Sequence, residues 1–186
     1  MVSLKFPPFS ADNLVGVIIK KLLLIILLPL ASIYAKDPVY ESNITFQNFP
    51  WGTSQEAFIK KMGNPVHRDE VDGITSLVWE NIVVNGYNTY MLAYFTKNGL
   101  QGGTYYFLTY DMDQLMKCYT EVKQELRKRY GPTPLFRDIF KELREYECLW
   151  EISGNYIHLK TNTRQGEPVT LFYLSPELAR QLIGSR

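Results

Sequence analysis

One short pattern occurs twice in this chain, and it constrains the fold more than any other feature. A helical pattern ends in Met62-Gly63-Asn64-Pro65, continues as Val66-His67-Arg68-Asp69 and reaches Val78-Trp79-Glu80. A second helical pattern ends in Tyr130-Gly131-Pro132-Thr133-Pro134, continues as Leu135-Phe136-Arg137-Asp138 and reaches Leu149-Trp150-Glu151. An internal repeat of this kind predicts two copies of one supersecondary unit. Most of the match has a structural cause. Glycine after the last helical turn takes the left-handed conformation, proline stops the helix, and tryptophan anchors a strand core. Arg68-Asp69 and Arg137-Asp138 are the exception, since neither capping nor core packing demands them.

Each copy reads as a helix followed by an antiparallel meander. In the first, Ile44, Phe46 and Phe49 precede Pro50-Trp51-Gly52, and Thr53 with Glu56 has the spacing of a capping box. Ala57, Phe58 and Met62 give that helix an apolar face. Strands are expected around Leu77 and Trp79, over Tyr90 to Thr96 and over Thr104 to Tyr110. Asn85-Gly86 and Lys97-Asn98-Gly99 supply the turns, and Gly102-Gly103 marks a bulge. In the second copy Asp111 or Asp113 caps a helix whose Leu115, Tyr119, Val122 and Leu126 form a core-facing stripe. Tyr146, Cys148, Trp150 and Ile152 share one strand face, Asn155 to Thr161 and Val169 to Leu174 complete the meander, and Ser175-Pro176 opens a last helix. The stretch from Leu135 to Leu143 is open to two readings, a strand by the repeat and a helix by its spacing. The fold class that follows is α+β: two tandem helix-plus-antiparallel-meander units, residues 36–110 and 111–186, with helices packed on one face of the sheet.

The N-terminal region reads as an export signal. Lys20-Lys21 precede the apolar run Leu22 to Leu30, and Ala31-Ser32-Ile33-Tyr34-Ala35 offers a cleavage edge before Lys36. The run is shorter than the ~20 residues of a spanning helix and Pro29 lies inside it, so no stable transmembrane span is expected after cleavage. Residues 1–16 do not fit a compact signal, and a start codon nearer Leu14 or Val17 accounts for them. Removing residues 1–35 takes Lys5, Lys20, Lys21 and Asp12 from 20 basic and 19 acidic residues, leaving a net charge near −1. That balance gives no reason to expect nucleic acid as a partner. In an exported chain the two cysteines, Cys118 and Cys148, are a candidate disulfide between helix and strand, the alternative being two buried thiols.

Trp51-Gly52-Thr53-Ser54 with Glu56, Gly63 and Pro65, then Trp79 and the Phe95/Asn98-Gly99-Leu100 hairpin, resembles the β-lactamase-inhibitor-protein-like fold, which includes the SmpA/OmlA-like small envelope proteins. The resemblance covers about Phe49 to Tyr110 closely and Asp111 to Leu174 more loosely. It implies a secreted or envelope protein that binds another protein through its sheet. The tandem arrangement is that of the inhibitor branch. The SmpA/OmlA branch has one unit and a lipobox, and this chain has no lipobox.

Catalytic material is sparse. Gly-x-Ser-x-Gly, His-Glu-x-x-His and P-loop patterns do not occur. His67 with Asp69 and Glu70 lacks a fourth metal ligand at the expected spacing, so a solvated histidine is the better reading. Cys148 and His158 can be drawn as a nucleophilic pair on neighbouring strands, but alternation points them to opposite faces. No enzyme, metal or cofactor is expected. The 13 tyrosines are the conspicuous group, and Tyr87, Tyr90, Tyr94, Tyr106 and Tyr110 crowd the first meander. They are the candidate binding residues, because tyrosine joins an apolar body to a polar tip and suits a wet interface. The expected function is an exported, non-catalytic binding protein, periplasmic or secreted, that recognises a protein or cell-envelope component through an aromatic sheet face. The alternatives are an envelope structural or assembly factor and, last, a small hydrolase using Cys148 or His67. N-terminal sequencing of the exported protein is expected to read Lys36-Asp37-Pro38, and an intact leader would refute the cleavage site.

Overall fold

The chain divides into two units, Met1–Val39 and Tyr40–Arg186. The computed structural model describes residues 40–109, 111–132, 135–137, 145–163 and 167–183, all in the second. Their elements run α1 (Gln55–Met62), β1 (His67–Val71), β2 (Ile74–Val84), β3 (Tyr87–Thr96), β4 (Gly99–Phe107), α2 (Met112–Tyr130), β5 (Leu135–Arg137), β6 (Glu145–Ile152), β7 (Asn155–Asn162), β8 (Thr170–Leu174) and α3 (Pro176–Ile183). The mixed α/β character is as expected. The strands form one antiparallel sheet in the order β1-β2-β3-β4-β8-β7-β6-β5. Of the two readings of Leu135 to Leu143, the strand holds over Leu135–Arg137, and residues 138–144 lie outside the described residues.

Capping fixes the starts of α1 and α2. Ser54, not Thr53, caps α1: its hydroxyl accepts from the Ala57 amide at 3.2 Å, while Thr53 turns back to donate to the Pro50 carbonyl at 2.7 Å. Asp111 caps α2, accepting from the Gln114 amide at 2.8 Å. At the other ends the repeated glycine and tryptophan are joined by the same bond. The Trp79 indole donates to the Gly63 carbonyl at 3.1 Å, and the Trp150 indole donates to the Gly131 carbonyl at 3.0 Å. Each indole satisfies a carbonyl at a helix terminus and ties the helix exit to the strand behind it.

Alternation along the strands separates two faces. Leu77, Trp79, Met91, Ala93, Phe95, Tyr105, Phe107, Cys148, Trp150, Ile157, Leu159, Leu171 and Tyr173 face one way and are all buried. Phe58 of α1 packs there against Trp79 and Phe95, and Tyr119 of α2 against Tyr146. Phe46 lies over Tyr105 and Tyr173 on the same side. The third helix does otherwise. A side-chain carbon built on Gly102 would lie 2.9 Å from the Leu178 side chain, and Gly102 pairs with Tyr94, on the opposite face from Ala93. Helices therefore do not all share one face. α1 and α2 cover one side, and α3 covers part of the other, because the chain leaves β8 at Ser175 on a strand end where Gly102 leaves room.

Gly102-Gly103 is not the bulge. The register shift falls at Gln101, between the pairs Tyr94↔Gly102 and Phe95↔Leu100. The two glycines are in register and provide clearance instead, Gly103 beneath the Phe46 ring and Gly102 beneath Leu178. The Arg-Asp repeat also finds a place. Arg68 and Asp69 are exposed on β1 and Arg137 is on β5, the two edges of the sheet, while Asp138 lies outside the described residues. Charge on an edge strand disfavours pairing with another chain.

Gly103→Ala is expected to lower stability by about 1–3 kcal/mol by driving a methyl into the Phe46 ring. In urea denaturation the same change should cost clearly less in a Phe46→Ala background. Equal costs in both backgrounds would place the strain elsewhere.

Candidate binding face

The side of the sheet opposite α1 and α2 carries Val78, Leu92, Tyr90, Tyr94, Tyr106, Phe172, Leu174, Tyr156, His158, Lys160 and Leu149, assembled from β2, β3, β4, β8, β7 and β6. These side chains are half-buried, except Tyr90, which is 39% exposed. Cross-strand neighbours bring them into one band. Tyr90 is opposite Tyr106, Leu92 opposite Thr104, and Thr104 opposite Phe172, which in turn is opposite His158. The Tyr94 and Thr104 hydroxyls are 3.1 Å apart. Burial raises the Tyr94 and Tyr106 phenols above the ordinary tyrosine pKa, so both are neutral near pH 7.

The far half of the band is more polar. The His158 ring stacks on Phe172 at 5.9 Å between centroids, and Lys160 Nζ lies 5.4 Å from the same ring. His158 Nε2 is 2.6 Å from Glu147 Oε1. Burial lowers the His158 pKa, Glu147 opposes that shift, and Lys160 adds to it.

Of the candidate tyrosines, Tyr90, Tyr94 and Tyr106 share this face. Tyr87 does not. It sits on the helix side, edge-on to Phe107, and its hydroxyl donates to Glu121 Oε2 of α2 at 2.7 Å. Tyr87 stands at an odd offset in position from Tyr90 and from Tyr94 along β3, so alternation carries it to the other side. Tyr110 lies outside the described residues. Phe172, Leu149 and His158 were missed as members of the band. Their alternation with buried Leu171, Cys148 and Ile157 was available, but the β4–β8 pairing that sets them beside Tyr106 was not.

The other candidates separate. Cys118 and Cys148 are buried thiols not joined by a disulfide. Cys148 Sγ is directed at the Tyr119 hydroxyl, 3.2 Å away, and burial pushes the Cys118 thiol up to about 12. Cys148 and His158 are on opposite faces, since Cys148 pairs with Leu159 and His158 with Leu149. On β1, His67 and Asp69 point one way and Glu70 the other, with Glu70 4.0 Å from Arg68, so the three do not converge. No helix among the described residues is long and apolar enough to cross a membrane. Thiol labelling is expected to find both cysteines only after denaturation, because buried neutral thiols are poor nucleophiles. A chain whose mass shifts on reduction instead would overturn the dithiol state.

No protein-family model matches the sequence, and no curated protein sequence matches it. Solved structures similar at low identity include the following three. A DUF4309 family protein from Bacillus subtilis shares 13% identity at a TM-score of 0.45, with 72% of this chain and 88% of that one covered. An extracellular protein containing a SCP domain from Bacillus anthracis shares 14% at 0.43, covering 77% and 50%. A cysteine-rich secretory protein from Staphylococcus aureus shares 12% at 0.43, covering 69% and 45%. This chain thus spans about half the length of the last two. None of the three is described as an inhibitor-like or SmpA/OmlA-like protein.

Proposed function

We propose that this is an exported, non-catalytic binding protein that recognises another protein or an envelope component through the open side of its sheet. The observation that carries the reading is the band from Val78 to Leu149, apolar and aromatic at its centre and only partly covered by α3. Half-buried tyrosine, phenylalanine and leucine on a rigid sheet bury area on binding at little entropic cost. Export rests on the leader sequence, and the resemblance to the inhibitor-like fold points to the same use of a sheet. The reading is non-catalytic because the thiol and imidazole available for a nucleophilic pair are on opposite faces.

The reading includes two tandem units. The equal indole-to-glycine bonds support it, as does the strand order, in which β1 to β4 and β5 to β8 run inward from the two edges to meet at β4 and β8. Superposing Trp79 on Trp150 by register matches Met91 with Ile157 and Tyr105 with Tyr173. On the open side it matches Tyr90-Leu92-Tyr94 with Tyr156-His158-Lys160. The copies agree where they build the core and diverge where they meet the partner, giving one aromatic half and one half bearing charge.

Capture from envelope extract on the mature chain is the test. Tyr90→Ala and Tyr106→Ala are expected each to weaken retention of the captured partner by roughly tenfold or more, the cost of truncating a central aromatic. Their urea midpoints should stay close to wild type. Retention unchanged in the double variant would move the binding surface elsewhere.

A further inference from the structure

The helix side of the sheet holds a concave feature, on the opposite face from the open band. It is a cleft of about 340 Å³, at the lower end of the size range of small-molecule sites. Its floor is formed by Tyr105 and Tyr173, its rim by Gln47, Asn48 and Asn85, and one wall by Arg129 near the end of α2. Gln47 and Asn48 form the turn between Phe46 and Phe49, whose backbones exchange hydrogen bonds of 3.1 and 2.9 Å. That turn holds Gln47 at φ 55° and Asn48 at φ 62°, and Asn85 across the cleft is at φ 51°. Left-handed backbone is unusual for glutamine and costs on the order of 1 kcal/mol, here imposed by the closed turn.

We propose that this cleft binds a small carboxylate ligand, with the Arg129 guanidinium as its anchor and Tyr105 and Asn48 as hydrogen-bond donors around it. Arginine offers a planar fork of five N–H groups matched to a carboxylate. One corner is in use: Arg129 Nε donates to both oxygens of Glu41, at 2.9 and 3.0 Å. That pair is itself a carboxylate seated on this guanidinium, and among the described residues no hydrogen bond engages the terminal nitrogens. The pair is nearly half exposed, where an ion pair contributes only about 0–1 kcal/mol, so an incoming carboxylate competes with it at small cost.

The surroundings favour the same sign of charge. Burial raises the Tyr105, Tyr130 and Tyr173 phenols above the ordinary range, so the floor is neutral and protonated. The Gln47 side chain is hydrogen-bonded to Tyr105 and its amide nitrogen donates to Met91 Sδ at 3.4 Å, which fixes the phenol on the cleft floor. Arg129 and Glu41 are the charged groups acting on these phenols, and with Arg129 held protonated by Glu41 the cleft offers a cation and neutral donors to a ligand.

Amide-resolved NMR on the mature chain tests this with succinate and citrate as probes and succinamide as the uncharged control. Millimolar succinate or citrate is expected to shift the Gln47, Asn48 and Asn85 side-chain amides, and succinamide to leave them in place. Arg129→Gln should abolish the shifts. Tyr105→Phe should weaken binding by roughly three- to tenfold, the loss of one hydrogen bond to a charged group. Glu41→Gln should tighten it, since it removes the competing carboxylate, and this variant decides the matter if Arg129→Gln fails to fold. The proposal falls if neither carboxylate shifts the amides in wild type or Glu41→Gln, if succinamide shifts them equally, or if a folded Arg129→Gln binds as wild type does. Tyr90→Ala, on the opposite face, should change none of these results.

Discussion

The fold depends on the pairing of β4 with β8. Each meander ends on one of these strands, and five consecutive pairs from Gly102↔Leu174 to Tyr106↔Thr170 join them into one sheet. Without the seam each half would present a long unpaired edge at the centre of the molecule. Gly102 and Gly103 sit at one end of it, and their missing side chains are what allow both covers to descend there. Phe46 enters from the helix side and Leu178 from the other. Gln101, the residue displaced at the register shift, accepts from the Ser175 hydroxyl and from the Ser175 amide through its carbonyl, which fastens the start of α3 to the same strand.

The seam also decides what each face can be. On the helix side it brings Tyr105 and Tyr173 together at 6.3 Å, edge to face, under Phe46, and closes one core over both halves. Burial of those aromatic and aliphatic side chains contributes roughly 1.5–3 kcal/mol each on that side. The open side is then released from the need to bury everything. It can keep tyrosine hydroxyls, an imidazole and a lysine next to apolar rings, because its contribution to folding is the smaller of the two.

How much of this was readable from the sequence follows from the range of the interactions. Helix exits at Gly63 and Gly131, the Asn98-Gly99 hairpin and the alternation of Tyr90, Leu92 and Tyr94 are set by neighbours a few residues apart, and they were readable. Thr53 was mistaken for the cap because Thr53 and Ser54 are both competent, and only the hydroxyl contact with the Pro50 carbonyl distinguishes them. Gly102-Gly103 suggested a bulge because a local rule allows it. Its true reason lies in Phe46 and Leu178, more than fifty residues away on either side. Tyr87 joined the binding tyrosines on composition, while its position on β3 already assigned it to the helix side. The placement of α3, and with it the loss of a one-sided helical layer, required the three-dimensional path of β8.

The Arg-Asp pairs separate fold from function most clearly. As residues they matched between the copies without a local cause, which invites a functional reading. The place of Arg68 and Asp69 on β1 and of Arg137 on β5 supplies a physical cause that is neither capping nor packing. A sheet closed at its centre by β4 and β8 has its remaining edges at β1 and β5, and those are where charge is needed to keep a second chain from adding on. The residues matched in the repeated sequence pattern therefore answer to the sheet as a whole, at its core, its helix exits and its edges. In the tandem reading proposed above, the residues that differ, Leu92 against His158 and Tyr94 against Lys160, lie on the side of the sheet that α1 and α2 leave open. Under the proposed function, that is the surface on which a ligand, rather than the fold, selects the side chain.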